Sequence, residues 1–341
     1  MNSADIVYAV TSSIVAFAIV VAVEPAWIRA AHERGLVGKD MNKPGDVKVA
    51  EAGGVWAIVA AAFGLLVLEA LYTYLSNSMY YPAELYALVS LLLLATFIGF
   101  LDDILGWKKG LPRWARIVFM APVALPLVVI KAGKSTLALP LIGVVDLGLA
   151  YPLLAVPIGV LGAANAFNML AGYNGLEAGM GILLMLFTSI YAYMKGLVFI
   201  VQAALIMMMT LLGFLLYNWY PARVFPGNAL TYGVGAYYAA LVVLGNMEKF
   251  GVSLFTLYFI EFMLFLRGLR NGVYKENFGI PREDGSLIEP YDKVYSLTHF
   301  AIRVLRRLRG RAREPEVTVI LLLLQTTIGV ILICLSVAGL L

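Results

Sequence analysis

Two adjacent carboxylates, Asp102 and Asp103, close a long apolar run in the stretch FLDDILGW (100–107). Like charges this close repel, so the pair favours a bound cation, a shared proton or a raised pKa. One carboxylate can then bind Mg²⁺ while the other takes a proton from a nucleophile. The bland alternative is a solvated acidic helix end. A more specific signal is NAFNMLAGYNGLEAG (165–179). Asn165 and Asn168 share one helical face, and Asn174 follows a Gly-containing break. Amide oxygens are hard ligands for Mg²⁺, and amide edges pair with a nucleobase. Gly172, Gly175 and Gly179 permit the close backbone approach that phosphate and nucleotide sites need. Helix capping alone would not require three Asn. Glu69 and Glu261 lie within apolar runs, where carboxylates are functional candidates by default. They would suit a proton-coupled transporter, although both read more readily as structural or protonated groups.

The scaffold for these groups follows from composition. Of 341 residues, 62% are apolar and 13% charged, and mean hydropathy is +0.87. Soluble domains run about 45–50% apolar and about 25% charged, so the water-soluble class is excluded, and disorder with it. The single Cys334 excludes an internal disulfide and a Cys-based metal cluster, and His32 and His299 are too few for a His-rich zinc site. Apolar runs predict helices at 5–28, 54–75, 84–101, 114–131, 150–167, 175–194, 197–217, 229–247, 251–269 and 317–340. The fifth is the least distinct, because 136–155 is also apolar. The first is too long for a signal-peptide core and lacks a basic leader, so it reads as a retained span. The expected fold is an all-α polytopic membrane protein of about ten spans, with residues 1–341 as one transmembrane catalytic domain and 270–316 as a long basic loop within it.

The charge is sorted by side. Of the 25 Lys and Arg, 21 fall on one face of this topology, and Lys131, Lys134, Lys195 and Lys249 fall on the other. Excess Lys and Arg mark the cytoplasmic face, which places both termini outside. The polar clusters at 40–54, 100–107, 165–179, 218–228 and 270–316 share the cytoplasmic face, and together they could line one cleft. Six arginines at 303–313 alternate with apolar residues. They read either as an amphipathic helix on an anionic leaflet or as a simple positive-inside stop.

From about residue 35 onward the chain resembles the polyprenyl-phosphate N-acetylhexosamine-1-phosphate transferases, glycosyltransferase family 4. Within them it is most similar to the eukaryotic and archaeal UDP-GlcNAc:dolichyl-phosphate GlcNAc-1-phosphate transferases. DMNK (40–43), the Asp pair, NMLAGYNGLEAG, NWYPARVF and IPR (280–282) follow in family order, before a basic loop and a last apolar helix. Ala171, where bacterial relatives carry Asp, belongs to the eukaryotic and archaeal pattern.

The resemblance implies a ten-helix, multi-pass membrane enzyme with a cytoplasmic active site, in the cell membrane if the source is prokaryotic. A polyprenyl or dolichyl phosphate attacks the sugar-bearing phosphorus of a UDP-sugar, GlcNAc by default, releasing UMP. It implies Mg²⁺ (or Mn²⁺) on Asn168 and Asn228, and uracil on Asn174 and Phe225. Asp102 and Asp103 become the catalytic pair, and Lys43, Glu51, Arg116 and Arg282 contact substrate. Membrane lipids are expected partners, nucleic acid is not, and a homodimer is left open. Three positions depart from the pattern. Asn228 replaces a metal-binding Asp, Gly53 replaces a Gln, and Asn277, Phe278 and Gly279 replace a His- and Arg-rich segment, for which Lys275 or Arg282 could substitute. Arg116 stands for a family Lys. These departures keep alive a catalytically silent nucleotide-sugar- or lipid-binding paralogue, beside the active transferase and the transporter.

Overall fold

A backbone in hydrocarbon must satisfy its hydrogen bonds within each segment, so long apolar runs become helices. The computed structural model describes residues 1–76, 79–105, 118–139 and 143–341. Among these residues, eight helices are long and apolar enough to cross a membrane. They are α1 (Ser3–Glu33), α2 (Gly54–Leu75), α3 (Pro82–Ile104), α5 (Tyr151–Met169), α6 (Leu176–Met194), α7 (Val198–Asn218), α8 (Gly227–Leu244) and α12 (Glu314–Val337). A ninth crossing is available if α9 (Glu248–Leu254) and α10 (Thr256–Arg270) act as one span bent by 56°. The bend falls at Phe255, whose ring stacks on Tyr258 and Tyr238. The shorter apolar helix α4 (Val118–Val129) belongs to the expected run 114–131, which begins outside the described residues.

The described residues of 136–150 form no span of their own, and 151–155 open α5. A hairpin of β3 (Thr136–Leu139) and β4 (Gly143–Asp146) precedes α5, with Thr136 opposite Asp146. Two smaller antiparallel pairs brace the loops. β1 (Val37–Lys39) pairs with β2 (Lys48–Ala50), and β5 (Ile280–Pro281) pairs with β6 (Leu287–Ile288).

Helix α8 is the most enclosed of the eight spans. It packs on α3 and α5, while α7 packs on α1 and α6, and α12 closes on α6. This places the start of α8 and the ends of α3 and α5 at one end of the bundle. The basic helix α11 (Leu297–Arg309) turns Ala301, Ile302 and Leu305 into the protein, against α10, α12 and β6. Part of its apolar stripe is thus used in packing, while Phe300 and Leu308 remain exposed.

Candidate active site

Both candidate carboxylates reach the first turn of α8. Asp103 accepts the backbone N–H groups of Asn228 (2.7 Å) and Ala229 (3.0 Å), one on each oxygen. It thus caps the α8 N-terminus, where orphan N–H groups and the helix dipole favour a negative charge. Gly227 lets the chain pass: its φ is +66°, and a Cβ there would collide with the Asp103 carboxylate. Asp102, buried, accepts the Asn228 side-chain amide at 2.6 Å. One turn further, Thr231 donates its hydroxyl to Asn168 Oδ1 at 3.0 Å. Asp102, Asn168 and Asn228, taken from α3, α5 and α8, are thereby brought together.

Among the described residues, no three His, Cys, Asp or Glu side chains stand close enough to hold a metal ion. A divalent cation here would draw its other ligands from oxygens outside such a cluster, and the neighbouring amides offer them. Asn228 gives its amide nitrogen to Asp102, which leaves Oδ1 for a cation. Asn168 Oδ1 keeps a second lone pair beside its bond from Thr231. Two amide oxygens and one carboxylate make a hard oxygen set, and this fits Mg²⁺ with retained waters.

The loop 219–226 joins this corner to the substrate-binding candidates. Phe225 donates its N–H to the Ala50 carbonyl (2.8 Å), and its own carbonyl accepts from Gly53 N–H (3.1 Å). This stitch sets the half-buried Phe225 beside the turn that carries Glu51. From α1, Trp27 donates its indole N–H to the Glu51 carbonyl at 2.9 Å. Ala52, between Glu51 and Gly53, has φ of 56°, a left-handed conformation that costs a non-glycine residue energy and that the surrounding contacts hold in place. Burial pushes the Glu51 carboxyl up to about 7.

Asn174 is held from all sides. Its Oδ1 accepts from Lys43 Nζ (3.1 Å) and Ala222 N–H (2.9 Å), and its Nδ2 donates to Asp40 (3.2 Å). Its backbone N–H goes to Glu314 at 2.8 Å. Lys43 forms ion pairs with Asp40 and Glu314 and lies 4.3 Å from the Tyr220 ring centroid. Burial works against the Lys43 ammonium, but Glu314 and Asp40 outweigh it and raise its pKa. The structure thus gathers Lys43 and Asn174 with Asp40 and Glu314. Neither acid was a sequence candidate: Asp40 is part of DMNK, and Glu314 looks like an ordinary helix start.

The three glycines of the Asn-rich stretch are approached by side chains. A Cβ on Gly172 would stand 2.7 Å from the Phe278 ring, one on Gly175 2.5 Å from Trp219, and one on Gly179 2.8 Å from Leu322. The close approach read from the sequence is real, but here protein side chains make it. Lys275 is buried in an ion pair with Glu261, so it is already engaged as a cation. The same pair accounts for Glu261, one of the two acids behind the transporter reading. The other, Glu69, accepts Tyr80 N–H at 3.2 Å. Arg282 is exposed on the β5–β6 hairpin, and Arg116 lies outside the described residues.

The model for glycosyl transferase family 4 matches residues 85–246. A protein of Saccharolobus solfataricus is 33% identical over 320 residues, 91% of each chain, and is named as a candidate UDP-N-acetylglucosamine–dolichyl-phosphate N-acetylglucosaminephosphotransferase. A Sulfolobus acidocaldarius protein of the same description is 32% identical, over 91% of this chain and 90% of its own. The Dictyostelium discoideum enzyme named UDP-N-acetylglucosamine–dolichyl-phosphate N-acetylglucosaminephosphotransferase is 25% identical, over 66% of this chain and 63% of its own. With its Asn-rich loop and its Asp pair gathered at one end of a bundle of membrane-spanning helices, the chain belongs to glycosyl transferase family 4.

Proposed function

We propose that the protein transfers GlcNAc-1-phosphate from UDP-GlcNAc to dolichyl or another polyprenyl phosphate, giving a polyprenyl-diphospho-sugar and UMP. The observation that carries this reading is the meeting of Asp102, Asn168 and Asn228 at the α8 N-terminus. The names of the relatives supply the donor and the lipid. An oxygen of the lipid phosphate bonds to the sugar-bearing phosphorus, and the bond from that phosphorus to UMP breaks.

Such a reaction needs alignment and charge neutralisation more than covalent help. Mg²⁺ bound by Asn168, Asn228 and Asp102 would draw charge from the diphosphate. Asp103 is assigned to holding the α8 terminus, because both of its oxygens are committed there. Asp102 is assigned to the reacting groups. Glu51 and Phe225 are assigned to the nucleoside, with Trp27 and the Ala50–Phe225 bond keeping them in register. The site is read as cytoplasmic from the sorting of Lys and Arg, with the isoprenoid tail between spans.

Calorimetric titration of UDP-GlcNAc into the detergent-solubilised protein tests the reading. Binding that requires Mg²⁺ and is lost in Asn168→Ala supports it, and binding indifferent to both counts against it.

A further inference from the structure

The segment 275–279 carries none of the His and Arg implied by the resemblance, yet it is firmly bonded to the site. Glu261, wholly buried on α10, forms an ion pair with Lys275. It also accepts the Ser296 hydroxyl (2.9 Å) and the Leu297 N–H (2.7 Å), which holds the start of α11. Lys275 donates in addition to Asn277 Oδ1 at 2.7 Å. With its oxygen taken, Asn277 points its amide nitrogen at two carbonyls of the Asn-rich loop, Met169 (2.8 Å) and Ala171 (2.9 Å). The Asn277 carbonyl accepts from the Tyr173 hydroxyl (3.2 Å) and the Thr298 hydroxyl (2.7 Å). Beside it, Gly279 N–H donates to Asn42 Oδ1 (3.1 Å), and Asn42 Nδ2 donates to the Gly172 carbonyl (2.8 Å).

Three carbonyls between Asn168 and Asn174 are therefore gripped by two asparagine amides. An amide side chain has nearly the same shape with its oxygen and nitrogen exchanged, so its orientation is set only by its partners. At Asn277 that partner is Lys275: burial draws its pKa down to about 7, the Glu261 carboxylate in direct contact favours its protonated form, and an ammonium accepts nothing and so fixes the oxygen toward itself. Buried ion pairs are weak stabilisers, and an uncharged pair of similar size is often as stable. Orientation of Asn277 is thus the distinctive consequence of charge at this place.

We infer that Lys275 and Asn277 are positioning residues: the Glu261–Lys275 pair fixes the Asn277 amide, and Asn277 fixes the loop that separates Asn168 from Asn174. The inference rests on the proposed function only in assigning that loop to metal and nucleotide sugar.

The test is the double variant Lys275→Met/Glu261→Gln. It removes both buried charges, while the amide introduced at position 261 can accept the Leu297 N–H with its oxygen and donate its nitrogen to the Ser296 hydroxyl oxygen, the two places that separate Glu261 oxygens occupy. The full-length protein should keep its thermal midpoint, whereas Lys275→Met alone, which leaves Glu261 unpaired, should lose stability. Hydrogen exchange at 169–174 in the unliganded double variant should accelerate about tenfold or more, the scale of one charge-assisted bond. With UDP-GlcNAc, the KM and the Mg²⁺ concentration for half-maximal rate should both rise about tenfold, with kcat changed less. Asn277→Asp should reproduce the effect, since it sets an acceptor against two carbonyls. Wild-type exchange at 169–174 and wild-type KM and Mg²⁺ dependence in the double variant would overturn the inference. A wild-type protein that neither binds nor turns over UDP-GlcNAc would instead overturn the proposed function, and the exchange measurement would still decide the inference.

Discussion

Asn228 gives its side-chain amide to Asp102 at 2.6 Å, from the first turn of α8 to the last turn of α3. Where the resemblance implies an Asp that binds metal, this chain has a donor that neutralises part of a neighbouring carboxylate's demand.

Asn228→Asp replaces that hydrogen bond with like-charge repulsion. Without Mg²⁺, the variant should be destabilised by roughly 1.5–3 kcal/mol, the range for a hydrogen bond to a charged group. With Mg²⁺, the added charge should strengthen binding. Thermal midpoints measured against Mg²⁺ concentration should therefore rise more steeply in the variant. Parallel curves would show that Asn228 does not face the metal.

The two carboxylates should separate by role. Asp103→Ala removes the α8 cap and should cost about 1–2 kcal/mol of stability, with activity falling alongside. Asp102→Asn keeps an oxygen toward Asn228, so it should leave the thermal midpoint within a few degrees while reducing turnover at least about 100-fold, the scale of removing one electrostatic group from a reacting centre. Equal stability losses in both variants would contradict the assignment.

Gly227→Ala should be among the most damaging single-methyl additions. Its φ of +66° disfavours a side chain, and the new Cβ would meet the Asp103 carboxylate. A loss of roughly 1–3 kcal/mol, seen as a lowered midpoint in detergent, should accompany lost activity. A neutral substitution would mean that Asp103 does not seat on α8 as described.

Acid sensitivity should trace to His299. Its Nε2 faces the Glu276 carbonyl at 2.9 Å, and Nδ1 has no partner among the described residues. Burial first, then the positive charge of Lys275, lowers its pKa from 6.5 to about 4, with Arg303 lowering it further and Glu289 opposing. Between these values the unfolded chain carries a proton that the folded chain lacks. Stability is thus full above about pH 6.5 and falls as pH drops toward 4, by about 3 kcal/mol from this residue. Denaturation midpoints measured from pH 7 to 4 should flatten in His299→Gln. In Lys275→Met/Glu261→Gln, which leaves no unpaired acid, the loss should begin at the same pH but level off sooner and reach a smaller size, because removing the ammonium lets His299 titrate closer to its ordinary value.

Most spans were legible because a continuous apolar run in hydrocarbon has one economical conformation, as for Gly54–Leu75 and Leu176–Met194. The bend at Phe255 was not, since 248–270 is apolar on both sides of the break. Among site residues, Asp102, Asp103, Asn168 and Asn228 could be named from residue type and motif, but their mutual contacts could not. Asp103 looks like a free acid in FLDDILGW, and only the arrival of α8, more than a hundred residues later, makes it a helix cap. Trp27 and Glu314 had no signal of their own, because each acts through a partner far away in the chain: Glu51 and Asn174. Glu261 looks like a membrane-buried functional acid until Lys275 is seen folded back onto it.

The most direct measurement follows UMP release from UDP-GlcNAc by the purified protein, with dolichyl phosphate and Mg²⁺, in the wild type and in Asn168→Ala. Mg²⁺- and lipid-dependent release is expected in the wild type, with its loss in the variant. No release from UDP-GlcNAc with any polyprenyl phosphate, or release that Asn168→Ala leaves unchanged, would contradict the proposed function.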